Sequence, residues 1–160
     1  MAKRTRPVRM RPTVGTVVPL GPSGAKLLGQ VPLFAGLPMK DLRRIAALAD
    51  ETWFSPGRIV VQQGKPADSF YVILDGRARV TRGRSGRTLR KLTQGDHFGE
   101  LALLAGGPRT ASVIADTTLD SVRIKRPAFR KLLLAEPEVG LRIMAGLAAR
   151  IAECEKELPS

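Results

Sequence analysis

The residues of this chain best suited to chemistry lie in one glycine-rich stretch, residues 95–112. Gly99 allows the backbone to approach a ligand closely, and the apolar run after it can begin one helical turn whose free N–H groups point at an anion. Arg109 is the one cation of the stretch, and its guanidinium can hold two phosphate oxygens at once. The segment therefore predicts a site for an anion.

Glu100 needs a different partner, because a carboxylate repels a phosphate. It can accept hydrogen bonds from hydroxyls, such as the 2′-OH of a ribose. Glu100 and Arg109 would then divide one nucleotide between them. An ion pair between the two, without any ligand, is the alternative. The flanking glycines, the hydroxyl of Thr110 and a position among strands favour the ligand site.

Short apolar runs between residues 52 and 125 predict the strands that position this segment. Turn signals such as Pro56-Gly57 and Asp75-Gly76 separate the runs at intervals of roughly seven to ten residues. Such spacing is typical of an antiparallel sandwich or barrel, and it disfavours a parallel α/β sheet. The mouth of a barrel is a usual place for a ligand cavity.

Helical spacing of apolar residues appears on both sides of the predicted strands. It predicts a first helix over residues 38–50, a short one over residues 128–134 and a long one over residues 137–158. The apolar stripe of the long helix consists of Val139, Ile143, Met144, Leu147, Ile151 and Cys154. The stripe predicts packing against the core, and a homodimer through this helix is its alternative use.

Length and composition predict one folded domain with tails. A chain of 160 residues that is 43% hydrophobic can bury one sizeable core. Cys154 is the single cysteine, so no internal disulfide forms and a reducing compartment is favoured. No apolar run approaches the roughly 20 residues that span a bilayer. We therefore expect a soluble protein of the cytoplasm.

Positive charge is concentrated in two clusters within a net charge of +13. The first lies in the N-terminal part of the chain: Lys3, Arg4, Arg6, Arg9, Arg11, Lys26 and Lys40. The second lies on a predicted hairpin: Arg77, Arg79, Arg82, Arg84, Arg87, Arg90 and Lys91. Either cluster could hold the phosphates of nucleic acid or ribosomal RNA, and an ordinary solvated surface is the alternative for both.

The first cluster overlaps a predicted tail. Residues 1–25 combine basic residues with prolines and glycines, a composition that predicts a flexible segment. The predicted domain occupies residues 26–160, with its strands over about residues 52–125 and its C-terminal helices over about residues 127–158.

Residues 33–158, about four-fifths of the chain, resemble a cyclic-nucleotide-binding domain of the catabolite-activator and protein-kinase-A regulatory type. FGELALL at residues 98–104 and PRTAS at residues 108–112 are similar to the family's phosphate-binding cassette. The glycines at 57, 64, 76 and 95 fall at the family's turn positions. The resemblance implies an antiparallel β-roll or jelly-roll barrel followed by a short and a long helix, a cyclic nucleotide as ligand, and no catalysis.

The resemblance also implies roles for individual residues. Its ligand-binding positions within the cassette are Gly99, Glu100, Leu101, Ala102, Arg109, Thr110 and Ala111. Gly99 and Glu100 would hold the ribose 2′-OH region. The side chain of Arg109 and the backbone N–H of Ala102 would hold the cyclic phosphate. Thr110 and Ala111 would complete the phosphate cradle.

Contacts to the base follow less directly from the resemblance. Val80, Leu89 and Leu92 fall where the family places apolar walls around the sugar and base, with a generic core position as the alternative for each. Arg150, Cys154 and Glu155 of the long helix are candidates to face the base. Thr110 is compatible with both cAMP and cGMP. The Arg- and Ala-rich composition resembles bacterial chains and favours cAMP.

Two functions from different classes follow. The first is a stand-alone regulatory sensor that changes conformation when a cyclic nucleotide binds; no helix-turn-helix follows the long helix, so sequence-specific DNA regulation is not expected. The second is a nucleic-acid- or ribosome-associated basic protein that uses the barrel as a scaffold. A metal-dependent barrel enzyme is disfavoured because His97 is the only histidine. We therefore expect neither a metal, nor a cofactor, nor catalytic residues.

Overall fold

The computed structural model describes residues 17–158, and it consists of strands, helices and two 3₁₀ turns. The strands are β1 (Val17–Pro19), β2 (Ala49–Phe54), β3 (Ile59–Val61), β4 (Ser69–Asp75), β5 (Ala78–Arg82), β6 (Arg87–Leu92), β7 (His97–Phe98), β8 (Ser112–Ala115) and β9 (Leu119–Lys125). The helices are α1 (Ala25–Gly29), α2 (Met39–Ala47), α3 (Glu100–Ala105), α4 (Arg126–Ala135) and α5 (Pro137–Lys156). The 3₁₀ turns are Pro22–Gly24 and Pro32–Phe34.

The strands form two antiparallel sheets. One sheet has the order β1-β2-β9-β4-β7, and the other has the order β3-β8-β5-β6. Helices α1, α2, α4 and α5 pack outside the first sheet. This arrangement confirms the predicted antiparallel β architecture with flanking helices, a short helix and a long C-terminal helix. The predicted hairpin of basic residues is the β5–β6 pair.

Strand β4 separates two hydrophobic clusters. Phe70 and Val72 pack with the helices, whereas Tyr71 and Ile73 pack with the second sheet. This alternation is the ordinary consequence of side chains pointing to opposite faces of a strand. The second cluster also contains Phe98, which lies within the predicted ligand segment and directly precedes Gly99. The segment is therefore attached to the hydrophobic core between the sheets.

The predicted tail of residues 1–25 belongs in part to the folded domain. Residues 1–16 lie outside the described residues. Strand β1 pairs with β2, and the backbone N–H of Leu20 donates to the carbonyl of Ala49 at 3.0 Å. Leu20 and Ala25 are buried in the first cluster. Apolar burial and strand pairing thus hold residues 17–25 in place, although their proline and glycine content predicted a flexible segment.

The first predicted helix differs from the observed helix α2 at its C-terminal end. Helix α2 ends at Ala47, whereas the periodicity predicted a helix to residue 50. Ala49 and Asp50 instead begin β2 and pair with Ile124 and Arg123 of β9. The first strand therefore begins three residues before residue 52, where the sequence predicted it. No helix within residues 17–158 has the length and apolarity needed to span a bilayer.

Gly76 provides a test of the turn between β4 and β5. Its φ is +99°, and a Cβ at this position would lie 2.3 Å from the carbonyl oxygen of Thr118. Gly83 has a φ of +79° with open space around it. We expect Gly83→Ala to cost about 1–2 kcal/mol of unfolding free energy through its left-handed backbone alone. Gly76→Ala should cost at least about 1 kcal/mol more, because the backbone must also move. Equal losses in urea unfolding would contradict this account.

Candidate ligand-binding site

Gly99 connects β7 to α3 and fixes the geometry of the predicted ligand segment. Its φ is +93°, a left-handed conformation that glycine adopts at little cost. A Cβ here would lie 2.8 Å from Nη1 of Arg109 and 3.0 Å from the carbonyl oxygen of Ser69. Glycine is therefore required both by the backbone conformation and by the arginine packed against it.

Arg109 ties this loop to the sheet. The residue is only 5% exposed. Its Nη1 donates to the carbonyl of Gly99 at 2.9 Å, and its Nη2 donates to the carbonyl of Ser69 at 2.5 Å. Burial lowers the pKa of Arg109, with partial compensation from Tyr71 and Asp68. An arginine keeps its proton under such conditions, so the loop contains a buried, fixed positive charge.

Glu100 is the buried acid of the same loop, and it pairs with the long helix. It is 1% exposed. Arg150 of α5 donates from Nη1 to its Oε1 at 2.8 Å, and Nδ1 of His97 lies 3.5 Å from its Oε2. Oε2 has no hydrogen-bond partner among the described residues. Glu100 and Arg109 thus bond to different residues. The direct ion pair between them, which was the alternative considered from the sequence, is not formed among the described residues.

The charge state of Glu100 reflects two opposing effects. Burial raises the pKa of its carboxyl group, because the charged form loses its hydration. The nearby imidazole of His97, the backbone N–H of Glu100 and the charge of Arg150 act in the opposite direction. Together they hold the pKa of Glu100 below its usual value. At neutral pH the cavity therefore contains an ionised carboxylate.

Most of the predicted ligand-binding residues line one cavity of about 50 Å³. The predicted residues among its walls are Val80, Gly99, Glu100, Leu101, Ala102, Arg109, Thr110 and Ala111. The walls not assigned from the sequence are Val61, Arg90, Phe98, Val113 and Arg150, the last of which was only a candidate for facing the base. The segment thus brings an acid and a guanidinium to one concave surface, as expected.

Leu89 and Leu92 do not line this cavity. Leu89 is 45% exposed on β6, and Leu92 is buried in the cluster between the sheets. The residue of β6 that reaches the cavity is Arg90, which pairs with Val80 across the hairpin. Leu89 and Leu92 were predicted because they fall where the family places apolar walls, and the burial of Leu92 agrees with the generic core position that was its alternative.

Arg90 and Arg150 also line a second, larger cavity of about 430 Å³. This cavity lies between α5, the turn before β7 and the 3₁₀ turn Pro32–Phe34. Nε of Arg90 is buried and has no hydrogen-bond partner among the described residues. Both cavities also share Glu100, so the Arg150–Glu100 pair lies in the wall between them. Breaking that pair would join the two spaces.

The remaining candidates on α5 are placed differently. Cys154 and Glu155 are exposed and line neither cavity, so Arg150 is the only one of the three candidates that reaches the site. Within residues 17–158, no group of three or more histidine, cysteine, aspartate or glutamate side chains could hold a metal ion. Glu100, Arg109 and Arg150 on the walls of the cavity can form hydrogen bonds and ion pairs.

Comparison with known proteins shows which proteins the chain is similar to. Residues 51–136 match the family model described as "Cyclic nucleotide-binding domain". The cAMP-dependent protein kinase regulatory subunit of Colletotrichum orbiculare is 34% identical over 106 residues, which cover 66% of this chain and 27% of that protein. The cGMP-dependent protein kinase egl-4 of Caenorhabditis briggsae is 35% identical over 138 residues, covering 83% of this chain and 18% of that protein. The chain thus spans about a quarter or less of these relatives.

A solved structure shows the same fold. The catabolite activator protein of Thermus thermophilus superposes with a TM-score of 0.71 at 29% identity, covering 79% of this chain and 61% of that chain. The similarity extends beyond the residues matched by the family model, because it includes four-fifths of the chain.

The lowered pKa of Glu100 predicts how stability depends on pH. A carboxyl group with a lowered native pKa stabilises the folded state above its unfolded pKa of about 4.3, and this contribution is lost as pH falls through the native value. We expect Glu100→Gln to be less stable than the parent at pH 7, with the difference shrinking below about pH 4.

Urea unfolding of both proteins between about pH 3 and pH 7 measures this difference. Glu153→Gln is the control, because the ion pair of Glu153 with Lys156 is exposed and such pairs contribute little. A Glu100→Gln deficit that stays constant across the whole pH range would show that the carboxylate charge is not its source.

Proposed function

The chain belongs to the cyclic nucleotide-binding domain family, and from this premise we propose that it is a regulatory sensor that binds a purine cyclic nucleotide at the α3 loop. The observation that carries the proposal is the pair of buried opposite charges, Glu100 and Arg109, on the walls of one cavity. Glu100 accepts hydrogen bonds from the ribose hydroxyl, and Arg109 holds the cyclic phosphate with the backbone N–H of Ala102.

The hydrogen bonds of Arg109 leave donors available for a phosphate. A guanidinium has five N–H donors, and two of them are used by the carbonyls of Gly99 and Ser69. These two bonds fix the plane of the group before any ligand arrives, so little side-chain entropy is lost on binding. The remaining donors meet the phosphate oxygens. Arg109 thus acts as part of the scaffold and as a ligand contact.

Binding requires the Arg150–Glu100 pair to open. A cavity of about 50 Å³ is well below the roughly 300 Å³ of the smallest usual ligand sites. Arg150 donates to the same carboxylate that the ribose hydroxyl uses. The nucleotide therefore competes with Arg150, and its entry joins the small cavity to the larger one. The released helix segment is the conformational change that a regulatory role requires.

Helix α5 packs against the domain mainly near its N-terminal end. Its buried residues are Val139 and Ile143 near its N-terminus, and Arg142 donates to the carbonyls of Pro32 and Leu33. From residue 144 to residue 158, only Leu147 and Arg150 are partly buried. Loss of the Arg150 contact thus frees the C-terminal part of the helix without unpacking the core.

Two purines are candidates for the ligand. The composition of the chain favoured cAMP. The position of Arg90 favours cGMP instead, because its buried Nε lacks an acceptor and the O6 and N7 atoms of guanine are two acceptors that an arginine can bind together. The N6 amino group of adenine is a donor and offers Arg90 no such pair. A direct comparison of the two nucleotides decides between them.

Other parts of the functional prediction concern partners and location. Leu141, Met144 and Ile151 of α5 are exposed apolar residues, and a homodimer through this helix stays a prediction. Location in the cytoplasm and a purely regulatory, non-catalytic role also stay predictions. None of these is needed for nucleotide binding.

Calorimetric titration of the full chain with cAMP and with cGMP tests the proposal. We expect at least one nucleotide to bind with a Kd well below about 1 mM. Arg109→Lys keeps the charge but removes the fork, and it should weaken binding by about tenfold to a hundredfold. Arg130→Lys, on the exposed surface of α4, is the matched control and should bind like the parent. The proposed function is wrong if neither nucleotide binds at about 1 mM.

Replacement of Arg150 tests the competition. We expect Arg150→Gln to bind nucleotide roughly twofold to tenfold more tightly, because the ion pair between the partly exposed Arg150 and Glu100 no longer has to be broken. Hydrogen exchange of the α5 amides should increase in this variant without ligand. Arg130→Gln controls for the loss of a positive charge elsewhere. Weaker binding by Arg150→Gln would instead show that Arg150 contacts the bound nucleotide.

A further inference from the structure

The outer face of the β5–β6 hairpin places positive charges directly opposite one another. In the register of the two strands, Arg82 pairs with Arg87 and Arg79 pairs with Lys91. Side chains at such positions are about 4.5–5.5 Å apart at Cβ, and like charges there destabilise a sheet. Arg84 adds a further charge in the turn that joins the strands. A surface that keeps like charges opposite each other at two cross-strand pairs is suited to an anionic partner.

Most of these charges are not neutralised within the described residues. Arg79 forms an ion pair with Asp116, whose position lies beyond the hairpin. Arg84, Arg87 and Lys91 are exposed and form no ion pair with an acidic group among residues 17–158. The segment from residue 77 to residue 91 contains no aspartate or glutamate. The excess charge therefore stays available to a molecule outside the chain.

Apart from one hydrogen bond, in which Nε of Arg82 donates to the carbonyl of Thr110 at 3.3 Å, the hairpin charges are separate from the nucleotide site. Arg90 is the one basic residue of β6 that lines the cavities, and the exposed residues of the hairpin line neither of them. The nucleotide site thus accounts for one of the seven basic residues between residues 77 and 91. The remaining positive surface has no role in the proposed function.

We propose that this outer face binds the phosphate backbone of a duplex nucleic acid. Strand β5 also pairs with β8 over residues 78–81, so only the end of the hairpin, residues 82–87, is a two-stranded ribbon of the kind that the major groove of a duplex admits. Arginine and lysine are the residues that contact the phosphates of a duplex. The face has no aromatic side chain for stacking on bases, so single-stranded recognition is disfavoured. Leu89 is its one exposed large apolar residue, too little for the apolar anchoring that membrane-surface binding ordinarily adds to charge.

The mode of binding is electrostatic and independent of base sequence. Each phosphate neutralised by a cation releases counterions, so affinity falls steeply as salt rises. The five exposed cations of residues 77–91, which are Arg77, Arg82, Arg84, Arg87 and Lys91, correspond to a salt slope of roughly −4 to −5 from the hairpin. Two different duplex sequences of equal length therefore bind with the same affinity.

Fluorescence anisotropy of the full chain with a labelled duplex of about 30 base pairs tests the proposal. At about 50 mM salt we expect a Kd below about 10 μM, and at about 200 mM salt a loss of at least tenfold. The double variant Arg84→Glu, Arg87→Glu should bind at least tenfold more weakly and reduce the salt slope by about 2. Arg84→Gln, Arg87→Gln should lie between the two.

The controls distinguish an effect of the hairpin on affinity from an effect of net charge. Arg130→Glu, Lys131→Glu makes the same charge change on exposed residues of α4 and should leave the affinity within about threefold of the parent. Circular dichroism verifies that each variant is folded. Equal weakening by the hairpin and α4 variants would overturn the proposal, as would binding to phosphatidylserine vesicles without binding to the duplex. Nucleotide titration of the hairpin variant is independent, so failure here leaves the proposed function intact.

Discussion

The guanidinium of Arg109 is the group on which the ligand loop depends. Through the carbonyls of Gly99 and Ser69 it joins the start of α3 to the start of β4, and it does so while almost completely buried. A buried positive charge is costly unless it is fully hydrogen-bonded, so the loop can only close in the conformation that supplies both carbonyls. The left-handed Gly99 is what brings the first of them into place. In the proposed function, the side chain of Arg109 thus both contacts the ligand and stabilises the loop.

Local sequence signals predicted much of this molecule. Turn residues such as Asp75-Gly76, apolar runs and helical spacing gave the antiparallel sheets, the hairpin and the two C-terminal helices, because each depends on neighbours in the chain. The resemblance to a family supplied the loop residues, and eight of the ten proposed positions line the cavity. The order of residues 17–25 was missed, since it depends on pairing with β2, about thirty residues away.

Two arginines show where prediction from the sequence stops. Arg90 faces inward because it pairs with Val80 of β5, whose side chain is buried between the sheets, and the register shift between Val80 and Thr81 comes after this pair. Arg150 reaches Glu100 only because α5 returns across the domain, fifty residues later in the chain. Both side chains are long and charged, so their composition alone suggests solvent. Their roles follow from tertiary geometry that no local pattern contains.

The anchoring of α5 near one end gives the helix the properties of a lever. Val139 and Ile143 act as its pivot, and the helix extends for about 20 Å beyond them at 1.5 Å per residue. A tilt of about 10° at the pivot therefore moves the far end by about 3 Å. In the proposed function, breaking one ion pair at Arg150 would therefore cause a larger displacement at the end of the helix, where a partner could detect it. The size of that displacement would depend on the length of the helix beyond the pivot.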